Sequence, residues 1–462
     1  MRADERPGPK GNSKTRPHFF IVVLLVVHLA ICFLMLAKNV SRPNTSDRLV
    51  SSDSVHYVDI ARDFSSGDFS MKYVKERPHR QPLYPALLAI AMKLGNGNRF
   101  MLGAVNILVD GVSILLVYVF TLALLANRFA AAVTALALAA NPFIDREITA
   151  RLLTEPLHLL LTICAIFAFL RYIQRKDCRW LFGCAGFVGL DYLTRPNGLI
   201  MAAAALGALA LSDVVSYCVA ARGRLPFFRW LLKYAGFYLV ALIIFLAVST
   251  PSWVPRLIYF GSPFHHGYLE NYMWVDTYKE GHVGQSYATY TWRDYFAHHG
   301  VWDILSRLLH GLWNIYFRIP IMMEKVPLLY FLSIGGVWIA FRERAREYRF
   351  LCLFLVLQMQ PLVWTNLSNP TSRVPYGSML PFELFLAALF LTWASKQPRV
   401  RSWFGERGAN QGAKEPAARS RQENPECEEE HVEQNSETQY RDPVGKQPHP
   451  AKASHRPEAN IA

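Results

Sequence analysis

Long apolar runs without a charged side chain interrupt this chain from end to end, and they leave it few ways to fold. Phe19–Ala37, "FFIVVLLVVHLAICFLMLA", has no Asp, Glu, Lys or Arg, and runs of the same kind recur as far as Trp393. At 1.5 Å of rise per residue, roughly 20 apolar residues cross the hydrocarbon layer of a membrane. In that layer a segment must satisfy its own backbone polar groups, so each run is expected to be a helix. By the length criterion there are about ten spans. They centre on Phe19–Ala37, Met101–Ala126, Phe129–Ile144, Leu152–Leu170, Trp180–Tyr192, Gly198–Val219, Trp230–Val248, Val326–Phe341, Phe350–Thr365 and Tyr376–Ala394. The first is too long for the core of a signal peptide, and no small-residue cleavage motif follows it, so a retained anchor is expected.

A net charge of +14 could indicate nucleic acid. The basic residues fall instead in short loops between apolar runs, the pattern of cytoplasmic loops in membrane proteins, and no nucleic-acid partner is expected. Starting from a cytoplasmic N-terminus and alternating the spans puts the basic head and the clusters Arg171–Arg179, Ala221–Arg229, Arg342–Arg349 and Lys396–Arg401 all inside. Val40–Pro85, Asp145–Arg151, Thr194–Asn197, Pro251–Glu324 and Asn366–Pro375 are then outside. No cysteine falls in an outside segment, so a disulfide framework is not expected. The expected organisation is a basic head (1–17), an all-α polytopic membrane domain (18–395) and a polar cytoplasmic tail (396–462) that cannot bury enough apolar surface to fold.

Beyond the first span lies "SDSVHYVDIARDF" (Ser52–Phe64). On a 3.6-residue period Asp53, Tyr57, Ile60, Ala61 and Phe64 share one face, while Asp59, Arg62 and Asp63 point elsewhere. An amphipathic helix lying along the outer interface is expected. Asp53 starts it, either as an N-cap or as a functional acid. "ERPHRQPLYPALLAIAMKL" (Glu76–Leu94) then sets Arg77 and Arg80 before a Pro-bounded apolar helix, where guanidinium groups can anchor at headgroups or hold a phosphate bidentately. Glu155 opens the fourth span with Pro156 in its first turn, and a carboxylate there is costly unless paired. Arg195 and Arg373 fall at outer span ends, where snorkelling is the default. Asp110, inside the second span, is expected to contact a neighbouring helix.

These stretches together resemble the membrane-embedded GT-C glycosyltransferases. The likeness is to the group that holds the dolichyl- or polyprenyl-phosphate-mannose protein mannosyltransferases and the aminoarabinose transferases. It is carried by Asp53-x-x-x-Tyr57-x-x-x-Ala61-Arg62 and by Arg80-x-Pro82-Leu83-Tyr84-Pro85. "LLTEPLHLLL", "GLDYLTRPNGL", "PSWVPRLIYFGSPF" and "SRVPYGSMLPFELFLA" follow in order. Ser54 stands where such enzymes often have a second acid, Gln81 interrupts a Lys-Pro-Pro pattern, and no Asn follows Arg256.

The resemblance implies a GT-C fold with amphipathic helices in the first outer loop. It also implies transfer of a sugar from a polyprenyl-phosphate-linked donor to an acceptor, protein or glycolipid, by single inverting displacement. Asp53 would be the catalytic base, its pKa raised by burial and lowered by Arg62 or Arg77. Tyr57, Arg77, Arg80, Tyr84, Glu155, Arg195, Arg256, His265 and Arg373 would bind substrate. No cofactor is assigned beyond an optional divalent cation near Asp145 and Glu147, and His265, His266, His298 and His299 have no zinc spacing. The aromatics of Pro251–Trp302 would divide between an interfacial belt and a cover over the site. A transporter or flippase of a lipid-linked sugar is the competing expectation, and it would place its ionisable residues near the midplane. A bacterial inner membrane fits the Ala-rich composition, and sequons at Asn39, Asn44 and Asn366 would matter only in a eukaryote.

Overall fold

The computed structural model describes residues 19–41, 52–142, 151–220, 227–266, 271–277, 291–324, 327–369 and 373–398. The head, most of the tail, Asn44, Asp145 and Glu147 lie outside them. Among the described residues there is no strand. The helices are α1 (Phe19–Ser41), α2 (Ser52–Ser66), α3 (Tyr73–Glu76), α4 (Leu83–Leu94), α5 (Arg99–Leu125), α6 (Arg128–Ala139), α7 (Glu155–Arg175) and α8 (Cys178–Tyr192). They continue as α9 (Gly198–Ala220), α10 (Phe227–Phe260), α11 (Trp292–His298), α12 (Val301–Trp313), α13 (Ile319–Glu324), α14 (Leu328–Arg342), α15 (Arg346–Thr365) and α16 (Arg373–Ala394).

Each span read from the sequence coincides with one of these helices. Six are long and apolar enough to cross a membrane (α1, α5, α7, α9, α10 and α16), and α4, α6 and α14 are shorter apolar helices. Starts are set by side-chain caps: Asn98 accepts from Phe100 N (2.8 Å), Asn127 from Ala130 N (3.0 Å) and Asp177 from Arg179 N (3.0 Å), each satisfying an amide the helix cannot. The short α8 is enclosed by α7, α9 and α10, with Leu181, Cys184, Ala185 and Val188 fully buried. The helix α10 outruns the expected span, continuing through Pro251 and Pro255 to Phe260.

Without a hydrophobic drive between helices in lipid, close packing has to come from small residues and buried hydrogen bonds. At Gly336 on α14 an added Cβ would collide with the Leu386 carbonyl oxygen of α16, so only glycine allows that approach. The α1–α5 contact uses both devices. Leu36 and Leu29 fill the space over Gly103 and Gly111, and His28 Nε2 lies 2.7 Å from Asp110 Oδ2. Asp110 thus meets a neighbouring helix, as expected.

A smaller core sits at the end of the bundle that carries Asp53. Tyr57, Ile60, Ala61 and Phe64 of α2 pack with Tyr84 and Leu88 of α4 and with Leu157 and Leu161 of α7. The 3.6-residue period of α2 matches its buried face, but that face packs against protein and does not rest on lipid as an interfacial helix would. Asn366 is also buried, accepting from Asn314 Nδ2 at 2.9 Å, so its sequon is closed to modification in the folded chain.

Candidate active site

Five segments bring their charged residues to one point. Asp53 comes from the first turn of α2, Arg80 from the loop before α4, Glu155 from the start of α7, Arg195 from the α8–α9 loop and Arg373 from the start of α16. Arg80 Nη2 lies 2.6 Å from Asp53 Oδ1, and Arg373 Nη2 lies 2.9 Å from Asp53 Oδ2. Arg373 also reaches Glu155, Nε to Oε1 at 2.8 Å, and Arg195 Nη1 approaches the same oxygen at 3.2 Å. Glu155 is 2% exposed, so the pairing that its burial demanded is present. Neither Arg195 nor Arg373 snorkels.

The position of Arg80 is heavily determined. Its Nη1 donates to Tyr57 Oη (3.0 Å), its guanidinium stacks 4.8 Å from the Tyr57 ring centre, and Tyr57 meets Tyr84 edge-on at 5.4 Å. His56 Nδ1 lies 3.2 Å from Arg80 Nη2. Arg256, fully buried, locks the backbone of this loop from α10. It donates to the carbonyls of Pro78 (2.5 Å), Arg80 (3.2 Å), His265 (3.0 Å) and Ser252 (2.5 Å), and to Ser252 Oγ at 2.8 Å. Ser252 Oγ in turn donates to Gln81 Oε1 (2.7 Å), and Leu83 N to Leu193 O (2.9 Å). Arg256 and His265 are therefore supports of the Arg80 loop in this structure. Arg77 pairs with Asp59 at 3.3 Å, and Arg62 with Asp59 at 3.5 Å. The charges beside Asp53 are accordingly Arg80 and Arg373, and not the Arg62 or Arg77 expected from proximity in sequence.

Burial pushes the Asp53 carboxyl up, but hydrogen bonds and charge from Arg80 and Arg373 outweigh it and hold the group well below the usual carboxylate range. Burial, reinforced by the Arg80 charge, lowers His79 to about 3, and burial with the Arg256 charge does the same to His266. At neutral pH these imidazoles are uncharged. In the cluster proper three guanidiniums face two carboxylates, a balance of one positive charge. Arg256 adds another, since its hydrogen bonds go to carbonyls and a hydroxyl.

A second set of polar residues lies directly beneath. His158 Nδ1 is 2.6 Å from Asp191 Oδ1, and His158 Nε2 is 3.1 Å from Ser378 Oγ, all three buried. The three residues tie α7, α8 and α16 together immediately below Glu155, Arg195 and Arg373. None of them was singled out from the sequence. All three nevertheless sit inside the stretches that carried the family resemblance, and His158 follows Glu155 by one helical turn. Among the described residues no three His, Cys, Asp or Glu side chains come together as a bound cation would need.

Comparison with known proteins agrees with this architecture. Residues 77–254 match the family model described as dolichyl-phosphate-mannose-protein mannosyltransferase. Among solved structures, ArnT from Cupriavidus metallidurans bound to undecaprenyl phosphate is similar with a TM-score of 0.50 and 14% identity, over 84% of this chain and 62% of that one. The same protein in its apo state gives 0.47 and 16%, over 83% and 61%. The oligosaccharyltransferase of Archaeoglobus fulgidus gives 0.44 and 16%, over 82% and 50%. This chain spans about 62% of the length of the first of these. No curated protein sequence matches the chain. The resemblance read from the sequence is borne out by the mannosyltransferase match at residues 77–254 and by the fold, and the chain is a multi-pass membrane protein with the GT-C fold.

Proposed function

We propose that this protein is a glycosyltransferase that moves a sugar from a polyprenyl-phosphate-linked donor to an acceptor hydroxyl at the Asp53 end of the helical bundle. The observation that carries the reading is the excess of fixed positive charge around Asp53, held by Arg80, Arg195, Arg373 and Arg256 against Asp53 and Glu155. Guanidinium groups placed in this way suit a lipid phosphate, whose charge grows as it leaves.

The donor phosphate would enter between Arg80 and Arg373, competing with Asp53 for both. Asp53 in its resting pairs is a poor base. As the phosphate draws the guanidiniums away, the depression of its pKa is relieved and its basicity rises. Asp53 then takes the proton of the acceptor hydroxyl while that oxygen attacks the anomeric carbon. The bond from that carbon to the phosphate oxygen breaks, and the electron pair leaves with the phosphate. One carboxylate serves a single inverting displacement of this kind. Tyr57 and Tyr84 hold Arg80 in place, and Glu155 orients Arg373 and Arg195. No metal enters the scheme, and the membrane is assigned as a bacterial inner membrane with the site on its outer face.

The test is to incubate the purified full-length protein with a panel of radiolabelled polyprenyl-phosphate sugars. Consumption of one donor, with release of polyprenyl phosphate, supports the proposal. A panel left intact in the presence of protein, glycolipid and free-glycan acceptors refutes it.

A further inference from the structure

The face of α2 that turns away from Asp53 borders a separate cavity of about 640 Å³. Val55, Val58, Asp59 and Arg62 of α2 form one side, Met92 and Lys93 of α4 the other, and Arg99 and Leu102 of α5 with Leu152 close it. The turn between α4 and α5 makes the arrangement possible. Asn96 and Gly97 adopt left-handed φ values of +47° and +76°, a sharp reversal that brings Lys93, in the last turn of α4, to the same rim as Arg99, at the start of α5.

The cations on this rim are poorly matched. Asp59 is shared by Arg77 and, at 3.5 Å, by Arg62. Lys93 and Arg99 pair with no carboxylate among the described residues. Arg99 also stands in the first turn of a helix, where the macrodipole disfavours a cation and favours an anion. Below the rim the wall is apolar, with Val55, Val58, Met92, Leu102 and Leu152. Beside Lys93, Ile90 and Leu94 are 56% and 76% exposed. Side chains of that kind on a membrane protein are covered by acyl chains, so the cavity opens at the boundary between headgroups and hydrocarbon.

We propose that this cavity binds an anionic glycerophospholipid of the surrounding leaflet. The phosphate would be held by Lys93, Arg99 and Arg62, and the glycerol and upper acyl carbons would lie against the apolar wall. The site is distinct from the Asp53 cluster, and its existence does not rest on the glycosyltransferase reading. It has a route to that cluster all the same. A phosphate that draws Arg62 from Asp59 leaves Asp59 to Arg77 alone, and Arg77 begins the turn in which Arg80 N donates to Arg77 O at 3.0 Å.

The probe is phosphatidylglycerol set against phosphatidylcholine in an equimolar mixture. Full-length protein in detergent is incubated with both, and retained lipid is read by native mass spectrometry. Wild type should retain phosphatidylglycerol in preference. The double variant Lys93→Gln/Arg99→Gln should lose roughly thirtyfold in affinity for it, at about fivefold for each basic side chain. Both side chains are exposed, so thermal unfolding of the variant should match wild type, which separates lost binding from lost folding. Arg80→Gln/Arg373→Gln should leave the preference intact, which separates this site from the donor cluster. Equal retention of the two lipids by wild type, or an unchanged preference in Lys93→Gln/Arg99→Gln, overturns the proposal. So does displacement of the lipid by glycerol phosphate at matched concentration, because the site would then read a free phosphate.

Discussion

Removing the negative charge of Glu155 while keeping its shape should destabilise the protein, and removing Arg373 at the same time should cost little more. The reason lies in the distances. Glu155 is 2% exposed and holds Arg373 at 2.8 Å and Arg195 at 3.2 Å. Glu155→Gln leaves Arg195 without a carboxylate and Arg373 with Asp53 alone, a broken buried pair that costs about 3 kcal/mol. Arg373→Ala removes one charge-assisted contact to Glu155, about 2 kcal/mol, and one to the half-exposed Asp53, which adds at most about 1 kcal/mol. Independent sites would sum to about 6 kcal/mol, whereas the double variant should lose only about 4 kcal/mol, because the shared Arg373–Glu155 contact is lost once and Arg195 alone is left without its carboxylate. The assay is reversible denaturant unfolding of the full chain in mixed micelles, run on all four proteins. Coupling of about 2 kcal/mol is expected. Additivity to within about 0.5 kcal/mol would mean that the Arg373–Glu155 contact does not hold the site together.

Three further outcomes follow from the same geometry. Arg80→Ala should weaken donor binding by about 10- to 100-fold, the worth of one charge-assisted hydrogen bond, and a titration with the consumed donor lipid that matches wild type would remove Arg80 from the phosphate site. His158→Ala should lower stability by about 3 kcal/mol or more through the stranding of buried Asp191, while Ser378→Ala should cost about 1 kcal/mol; urea midpoints in micelles that reverse this order would refute the supporting role given to His158. His266 is held uncharged by burial and the Arg256 charge, its pKa lowered to about 3. Its contribution to stability is therefore complete above its ordinary value of about 6.5 and declines as pH falls toward about 3, by up to about 1.4 kcal/mol per pH unit. His79 is lowered to the same extent and contributes a slope of its own, so His266→Gln should reduce the slope between pH 6 and 4 without abolishing it, and an unaltered slope would refute the share given to His266.

Much of the fold could be read from the sequence, because the bilayer leaves helices as the expression of an uncharged apolar run. Phe19–Ala37, Met101–Ala126 and Gly198–Val219 match helices Phe19–Ser41, Arg99–Leu125 and Gly198–Ala220 to within four residues at either end. The surroundings of α2 could not be read. Its 3.6-residue period revealed a buried face, yet periodicity does not distinguish burial in lipid from burial against α4. The same limit applied to the site. Asp53, Arg80, Glu155, Arg195 and Arg373 stood out one by one as charges at span ends, but which carboxylate meets which guanidinium depends on helix packing. Proximity in sequence pointed to Arg62 and Arg77, whereas Arg373 reaches Asp53 across 320 residues. Arg256 looked like a ligand for the same reason that it makes a good support: a buried cation has to find oxygens, and five of its contacts are to backbone carbonyls of the Arg80 loop and its neighbours.

The most direct measurement is single-turnover sugar release by Asp53→Asn, with donor binding followed on the same preparation. Asparagine keeps the size of the side chain and one acceptor oxygen, and Asp53 lies inside the first turn of α2 with its oxygens on Arg80 and Arg373, so the change removes no helix cap. It cannot accept the hydroxyl proton, and general-base contributions are typically about 10²- to 10⁴-fold. The neutral side chain also no longer competes with phosphate for Arg80 and Arg373. Asp53→Asn should fold, bind donor at least as tightly as wild type and turn it over about 10²- to 10⁴-fold more slowly. Folded Asp53→Asn that releases sugar at the wild-type rate would contradict Asp53 as the base.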